Sequence, residues 1–314
     1  MIPRSILGRT GFNVSKLGFG CWASGSYHYG KVSKTNAIKS LTKYLDAGGN
    51  FIDTARAYGQ SESLIGNILR NNERKKIILC SKTLEVEKKK IEKDLEKSLK
   101  LLKTDYLDIY YLHSPPNSKY EMEKILSLFE KFKKDGKIRA IGASIKGCDV
   151  TQKTVDLSNQ YIKSNKIDVL QVIYSIFRQK NSEVFKIAKD NKVGIVARTI
   201  LENGFLTGKY FPGHVFSGND HRKRWNQNNL FYILEQTKRI KETYLKPPLK
   251  SVSEIAMKFI HNNNYVAVSI IGSKSAIQTK ENIDSFNHSY KNKLINKKKL
   301  FNLYKNKFKL FNRY

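Results

Sequence analysis

The chain has 314 residues, of which 40% are hydrophobic, and its 58 Lys and Arg residues outnumber its 27 Asp and Glu residues to give a formal net charge of +31. No apolar run approaches the roughly 20 residues that a membrane-spanning helix needs, and the first residues lack the apolar centre of a signal peptide. The three cysteines, Cys21, Cys80 and Cys148, are far apart and odd in number, and they give no sign of a disulfide framework or of metal-ligand spacing. We therefore expect a cytoplasmic protein without a metal site.

The positive charge has two interpretations. A strongly basic protein can bind nucleic acid or an anionic membrane. Here most of the cations are Lys, spread over every predicted helix and mixed with many Asn and Ile residues, as a compositional bias of the genome would produce. We favour this second interpretation and expect no nucleic-acid partner. The tail at 285–314 is the exception, because it has no acidic residue and suggests a basic amphipathic helix. We expect this helix to pack on the rest of the protein, and the alternative is that it contacts an acidic surface.

The predicted elements favour one domain over residues 1–314, with 285–314 as a C-terminal extension. A short hairpin, 4–7 with 13–15, comes first. Apolar runs then predict eight strands, at 16–20, 50–54, 77–81, 106–112, 139–143, 169–173, 194–197 and 267–271. Amphipathic patterns between them predict helices that include 34–47, 87–102, 120–134, 150–165, 182–191 and 251–262. Eight alternating units fit one (β/α)8 TIM barrel of the α/β class, with the hairpin as a plug at its bottom.

Four ionisable side chains lie at or just beyond the ends of successive predicted strands. Asp53 ends the second strand and Tyr58 follows it, while Lys82 and His113 end the next two. A TIM barrel builds its active site at these C-terminal strand ends. A phenol has an ordinary pKa of about 10, and a neighbouring ammonium group favours the phenolate and eases proton release. The four groups together suit the protonation of a carbonyl oxygen.

With its upstream Gly and Phe residues, the Asp-Thr-Ala-x-x-Tyr element at 53–58 resembles the signature of the aldo-keto reductases. The resemblance extends from Leu7 to Asn282. Lys82 and His113 match the positions of that family's third and fourth catalytic residues. The resemblance implies a TIM barrel that binds a nicotinamide cofactor without a Rossmann domain.

The resemblance also implies a reaction and a role for each of these four residues. Hydride is expected to pass from NADPH, with NADH as the other possible cofactor, to an aldehyde or ketone. Tyr58 protonates the carbonyl oxygen and His113 orients it. Lys82 lowers the pKa of the phenol, and Asp53 holds Lys82 in place.

A first glycine motif, at 18–23, matches Gly-x-Gly-x-x-Ala after a strand. The dinucleotide fingerprint requires a helix next, whereas residues 24–30 predict a flexible aromatic loop, so we reject a Rossmann interpretation. The segment resembles instead the first substrate-pocket loop of the family. Its candidate wall residues are Trp22, Tyr27, His28 and Tyr29.

A second glycine motif, at 204–210, has one residue too few between its glycines for a phosphate loop and lacks Ser or Thr after Lys209. It is similar to the family's loop after the seventh strand, which closes over the cofactor pyrophosphate. The candidate cofactor contacts in this loop are Leu201, Gly204, Leu206 and Gly208.

The nicotinamide end of the cofactor is expected to contact uncharged side chains that form hydrogen bonds. Ser144 and Gln171 match the family positions that hold its carboxamide. Two residues depart from the pattern. Ile145 stands where most members have Asn, and Arg198 stands where many have an aromatic that stacks on the nicotinamide ring; the guanidinium suits either stacking or the pyrophosphate.

The adenosine end is expected after the eighth strand, where a helix N-terminus offers backbone N–H groups to a phosphate. Ser273 and Lys274 are candidates for a 2′-phosphate, which favours NADPH. The candidate contacts here are Gly272, Ser273, Lys274, Gln278, Glu281 and Asn282, of which the last two match the family's adenine contacts.

Two alternative functions stay open from the sequence. One is a cofactor-binding regulatory subunit of the same fold with slow turnover, and the other is a basic nucleic-acid-binding protein. The intact set of four residues argues against both, though less strongly against the first. The sequence identifies neither the carbonyl substrate nor the oligomeric state, because pocket loops and not the fold decide the substrate.

Overall fold

The computed structural model describes residues 1–25, 29–30, 32–69, 74–146, 150–216, 218–292 and 297–304. Tyr27 and His28 of the predicted pocket wall, and Cys148, lie outside these ranges.

Eight parallel strands close into a barrel, which confirms the fold predicted from the alternation of strands and helices. The strands of the described part of the chain are β1 (Arg4–Ile6), β2 (Asn13–Ser15), β3 (Leu17–Gly20), β4 (Phe51–Asp53), β5 (Ile78–Thr83), β6 (Leu107–His113), β7 (Ile138–Ser144), β8 (Val169–Ile173), β9 (Gly194–Arg198) and β10 (Val266–Gly272). Strands β3 to β10 follow one another around the barrel in chain order, and β10 pairs with β3 to close it. Parallel strands all end on one side, so the residues that end them gather at one mouth, the top of the barrel.

The hairpin of β1 and β2 plugs the opposite end. Leu7, Phe12 and Val14 are buried in one cluster with inward-facing residues of the barrel strands, among them Val196. Leu7 lies so close to Gly194 that a Cβ on Gly194 would come within 2.6 Å of it. Because Gly194 begins β9, the plug lies at the N-terminal, bottom end of the barrel, as predicted.

Helices surround the barrel and bury their apolar faces against it. The α-helices in the described ranges are Trp22–Gly25, Lys34–Asp46, Ser61–Ile68, Lys88–Leu102, Lys119–Lys134, Gln152–Lys163, Phe185–Asp190, Gln227–Tyr244, Val252–His261, Ala276–Lys291 and Lys297–Tyr304. Short 3-10 helices are Gly8–Thr10, Lys180–Val184, Glu202–Thr207 and His221–Arg224. Serine hydroxyls cap several N-termini; the hydroxyl of Ser33, for example, accepts a hydrogen bond from the backbone N–H of Asn36.

Two local predictions differ from the structure, and one helix was not predicted. The stretch predicted as a loop at 24–30 begins inside one helical turn, Trp22–Gly25, which is too short to be the helix of a Rossmann unit. The helix predicted at 182–191 begins as the 3-10 segment Lys180–Val184 and becomes α-helical only at Phe185. The helix Gln227–Tyr244, whose buried side chains include Leu230 and Ile233, was not predicted; its helical pattern is interrupted by many polar residues.

The described part of the basic tail packs against the barrel helices. Leu300 is fully buried, and the ring of Phe301 stacks on that of Phe259 with 6.3 Å between centroids. The tail is not one continuous helix, because the helix Ala276–Lys291 ends at Asn292, whose backbone is extended. Among the described residues, none of the helices combines the length and the apolar character that crossing a membrane requires.

Candidate active site

Three of the four predicted catalytic side chains stand on adjacent strands at the top of the barrel. Asp53 is the last residue of β4, Lys82 lies near the end of β5, and His113 is the last residue of β6. Tyr58 lies in the turn after β4, where its N–H donates to the carbonyl of Ala55 at 2.9 Å. The strand ends therefore bring together side chains that are up to 60 positions apart in sequence.

Glycine at position 25 allows the turn that carries Tyr58 to approach the first loop. A Cβ on Gly25 would come within 2.6 Å of the carbonyl oxygen of Tyr58 and 2.3 Å of the Cβ of Ser61. The carbonyl of Gly25 accepts a hydrogen bond from the N–H of Gln60 at 3.1 Å. These contacts fix the backbone on both sides of the phenol.

The ammonium group of Lys82 is the centre of the site. Its Nζ lies 2.6 Å from Oδ2 of Asp53, 2.8 Å from the carbonyl oxygen of Thr54 and 3.3 Å from Oη of Tyr58. Lys82 is 0% exposed and Asp53 is 4% exposed. An ammonium group has three N–H donors and no acceptor, so these three contacts use all of its donors.

Burial and charge act in opposite directions on this cluster. Burial by itself would lower the pKa of Lys82, but the Asp53 carboxylate and the Tyr58 phenol together outweigh it, so the pKa is raised and the group stays charged. For Tyr58, burial raises the pKa by more than Lys82 lowers it, and the net pKa is above the ordinary value of 10. Lys82 thus lowers the pKa of the phenol, as expected, but the burial, which the sequence does not reveal, outweighs this effect.

His113 lies beside the phenol, with 5.8 Å between the ring centroids and an edge-to-face arrangement. Burial, together with the positive charges of Lys82 and Arg198, lowers the pKa of His113 to about 3. Near neutral pH its imidazole is consequently uncharged and carries one N–H donor.

Ser144 and Gln171, predicted to hold a carboxamide, are brought next to the carboxylate of Asp53. Ser144 ends β7 and pairs in register with Gln171 on β8. The Ser144 hydroxyl donates to Oε1 of Gln171 at 3.1 Å, and Nε2 of Gln171 donates to Oδ1 of Asp53 at 2.8 Å. This second contact was not predicted, because the two residues are far apart in sequence and lie on opposite strands of the barrel.

The two residues that depart from the family pattern contact each other. Nη2 of Arg198, at the end of β9, donates to the carbonyl oxygen of Ile145 at 2.8 Å. The side chain of Ile145 is buried in the core. Arg198, at the end of β9, therefore holds the backbone next to Ser144 in place.

The loop after β9 contains all four predicted contacts of the pyrophosphate region. Leu201 and Leu206 are buried, while Gly204 and Gly208 have φ values of +92° and +73°, a region that favours glycine. The buried carboxylate of Glu202 anchors the loop through an ion pair with Arg178 at 2.6 Å. Sequence reasoning missed this pair, since no local pattern marks two residues that meet only in the folded protein.

The first loop contacts a segment that the sequence did not single out. Tyr29 donates from its hydroxyl to Oδ1 of Asn203 at 2.9 Å, and its ring packs against that of His221 at 4.5 Å between centroids. Trp22 also packs on His221, and the Arg222 guanidinium lies over the Tyr29 ring at 5.1 Å. Trp22 and Tyr29 thus border the mouth together with the segment at 220–222.

The residues predicted at the adenosine end lie around the N-terminus of the helix Ala276–Lys291. Lys274 donates from its backbone N–H to Oε1 of Gln278 at 2.9 Å and from Nζ to the carbonyl oxygen of Tyr29 at 2.8 Å. Nδ2 of Asn282 donates to the hydroxyl of Ser273 at 2.9 Å. Glu281 pairs with Lys209 of the loop after β9 at 3.0 Å, and Gly272 is the last residue of β10.

Comparison with known proteins agrees with this geometry. The model of the Aldo/keto reductase family matches residues 16–299. The chain belongs to this family. It is therefore an oxidoreductase of a family whose general reaction is carbonyl reduction with a nicotinamide cofactor.

Relatives in this family differ in the cofactor that their names give. The chain is 30% identical to Aldo-keto reductase yakc [NADP(+)] of Schizosaccharomyces pombe, over 73% of this chain and 71% of that protein. It is 26% identical to the NADH-specific methylglyoxal reductase of Escherichia coli, over 90% of this chain and 92% of that protein. The solved structure of aldo-keto reductase AKR11C1 from Bacillus halodurans (holo form) shares the fold, with a TM-score of 0.75 at 24% identity over 93% of this chain and 96% of that one.

Proposed function

We propose that this protein reduces an aldehyde or ketone with NADPH and that Tyr58 donates the proton to the carbonyl oxygen. The observation that carries the proposal is the buried contact of Lys82 with both Asp53 and Tyr58. Because the charged Lys82 can only donate, Oη of Tyr58 accepts that hydrogen bond. The O–H of the phenol is then directed to another acceptor, and a carbonyl oxygen beside His113 is suited to receive it.

Each neighbour of Tyr58 has a defined part in the proposal. Lys82 stabilises negative charge on the phenol oxygen as the proton leaves. His113, as a neutral imidazole, offers an N–H to the same carbonyl oxygen without competing as an acid. Asp53 keeps the ammonium in place and compensates for its burial.

The donor set fits a nicotinamide cofactor. Ser144 and Gln171 provide a hydroxyl and an amide for a carboxamide, and the left-handed glycines of the loop after β9 suit a close approach of a phosphate to the backbone. When bound, the cofactor supplies the hydride. Lys274 and Ser273 support the phosphorylated form, although the E. coli relative is NADH-specific by name.

A first experiment tests the reaction. Purified protein should oxidise NADPH when mixed with at least one member of a panel of aldehydes, ketones and keto sugars, as followed by NADPH absorbance. Binding of the nucleotide without turnover of any carbonyl in a broad panel would support the alternative of a regulatory subunit with slow turnover.

A second experiment tests the cofactor. Lys274→Ala should weaken NADPH binding on the order of tenfold relative to NADH, because a charge-assisted contact to the 2′-phosphate is lost. Lys280→Ala is the matched control, since Lys280 lies on the helix that follows Lys274, is exposed and pairs locally with Asp284. An unchanged NADPH to NADH ratio in Lys274→Ala would remove the support for the phosphorylated form.

A further inference from the structure

The amide of Gln171 spans the mouth of the barrel. Gln171 is on β8 and Asp53 is on β4, and three strands separate them in either direction around the closed barrel. Their hydrogen bond of 2.8 Å therefore joins opposite walls. Gln171 is 1% exposed, so solvent does not replace this contact when it is lost.

The surroundings of Gln171 determine which way its amide points. A carboxylate only accepts hydrogen bonds, so the group that faces Asp53 is the NH2 of the amide. The amide oxygen then faces the hydroxyl of Ser144, as the 3.1 Å contact requires. One side chain consequently contacts the catalytic carboxylate with one end and the proposed carboxamide-binding hydroxyl with the other.

We propose that Gln171 is a positioning residue for the proton donor as well as a part of the nicotinamide site. The inference rests on the proposed function. Gln171 holds Oδ1 of Asp53, which leaves Oδ2 aimed at Lys82, and Lys82 in turn contacts Tyr58. The chain of contacts runs from Ser144 through Gln171, Asp53 and Lys82 to Tyr58.

The reason that Asp53 needs this contact lies in its side-chain torsion. The last torsion of an aspartate is broad, so a carboxylate held by one oxygen alone can turn. Turning would move the partner of Lys82 and change the 3.3 Å contact between Nζ and the phenol. A second donor on the opposite oxygen prevents this rotation.

Gln171→Leu removes both hydrogen bonds while keeping a buried side chain of similar size. We expect kcat to fall on the order of 10- to 100-fold, since small displacements of catalytic groups have costs of this size. The KM for the carbonyl should change little. Ser144→Ala is the matched control, because it removes only the contact on the other side of the amide, and it should weaken nucleotide binding more than it lowers kcat.

Gln171→Glu adds a readout that a purely structural role, or a contact with the cofactor alone, would not produce. The introduced carboxyl faces Asp53, and two carboxyl groups at this distance raise the pKa of one of them. The protonated form can donate to Asp53 and accept from Ser144, as the amide does. Nucleotide affinity, measured by protein fluorescence, and kcat should therefore be retained at acidic pH and lost together as the pH rises through that raised pKa.

The double variant Gln171→Glu with Asp53→Asn separates the explanations. Without the charge of Asp53, the transition in nucleotide affinity should move to lower pH, because the repulsion between the two carboxylates is removed. A transition that stays in place, or a Gln171→Leu protein with wild-type kcat, would overturn the positioning role. If the wild type binds nucleotide but reduces no carbonyl, the proposed function fails. The pH titration of nucleotide affinity in the Gln171→Glu variants still decides in that case whether residue 171 faces Asp53.

Discussion

At the bottom of the barrel and at its top, a buried carboxylate is paired with cations, but the groups around each pair differ. At the bottom, Asp108 accepts hydrogen bonds from Arg74 at 2.7 Å, from Arg139 at 2.6 Å and from the backbone N–H of Leu79 at 2.9 Å. Asp168 has the same kind of environment. Its partners are Arg9, Lys133 and the N–H of Ile141.

At the top, Asp53 has one cation, Lys82, and one amide, Gln171, and the contacts continue from Lys82 to a phenol. The bottom pairs end in guanidinium, ammonium and backbone groups, which do not release a proton near neutral pH. At the top, the contacts end at Tyr58, whose hydroxyl group can donate a proton. The same pairing of charges therefore stabilises the fold at one end, and at the other it holds the proposed acid.

The largest expected effect comes from removing the cation at the top. Lys82→Met should lower kcat/KM on the order of 100-fold, since it weakens the general acid Tyr58, and a general acid contributes a factor on the order of 100 to 10,000. In the wild type, the rate should fall with rising pH only above the ordinary phenol pKa of 10, because the pKa of Tyr58 is raised. Loss of the Lys82 charge should raise that pKa further and move the alkaline fall of any residual activity upward. An alkaline fall that moves down in Lys82→Met would contradict the role given to the cation.

Removing a carboxylate at the bottom should act on stability alone. Asp108→Asn should lower the free energy of unfolding by about 3 kcal/mol, because it leaves the buried Arg74 guanidinium without its counter-charge. Turnover per folded molecule should remain near that of the wild type. Asp135→Asn, at an exposed carboxylate that pairs with Lys131, is the control for chemical denaturation. A loss of kcat in Asp108→Asn without a loss of stability would contradict the purely structural role given to Asp108.

A smaller effect is expected where the plug meets the barrel. Arg9 donates to Asp168 and to the backbone, but its side chain is partly exposed. Arg9→Ala should therefore lower the free energy of unfolding by about 1 kcal/mol. Salt titration of the difference in stability tests this prediction, since screening should reduce the ion-pair part. No measurable loss of stability would show that the plug is held by its apolar side chains alone.

The smallest effect at neutral pH is expected from a histidine outside the mouth. Burial, with Lys16 and Lys258, lowers the pKa of His261 to about 3. The unfolded chain binds a proton at this residue near pH 6.5 and the folded chain does not, so its contribution to stability is lost as pH falls from 6.5 towards 3. His261→Leu should reduce the difference in Tm between pH 7 and pH 5 without changing kcat. Equal pH dependence of Tm in both proteins would argue against a depressed pKa.

The barrel and much of its mouth were predictable because they follow from local patterns. Apolar runs mark each barrel strand, and Asp53, Lys82 and His113 come where those runs stop. Parallel strands then bring residues distant in sequence to one edge without any further information.

Contacts between loops, and the degree of burial, were not predictable in this way. Glu202 and Arg178 meet only because the loop after β9 folds back, and the segment at 220–222 meets Tyr29 only across the mouth. The raised pKa of Tyr58 has the same origin, since the sequence reveals the neighbouring charge but not the depth of burial.

The proton donor is the central claim, and Tyr58→Phe tests it most directly. The variant keeps the ring and removes only the hydroxyl, while Tyr120→Phe removes the hydroxyl of a tyrosine that is 75% exposed and serves as the control. Single-turnover oxidation of bound NADPH by a reactive aldehyde, with nucleotide affinity measured in parallel, separates chemistry from binding. Tyr58→Phe should be slower by a factor on the order of 100 or more with its nucleotide affinity retained. Near-wild-type turnover in Tyr58→Phe would contradict the assignment of Tyr58 as the acid.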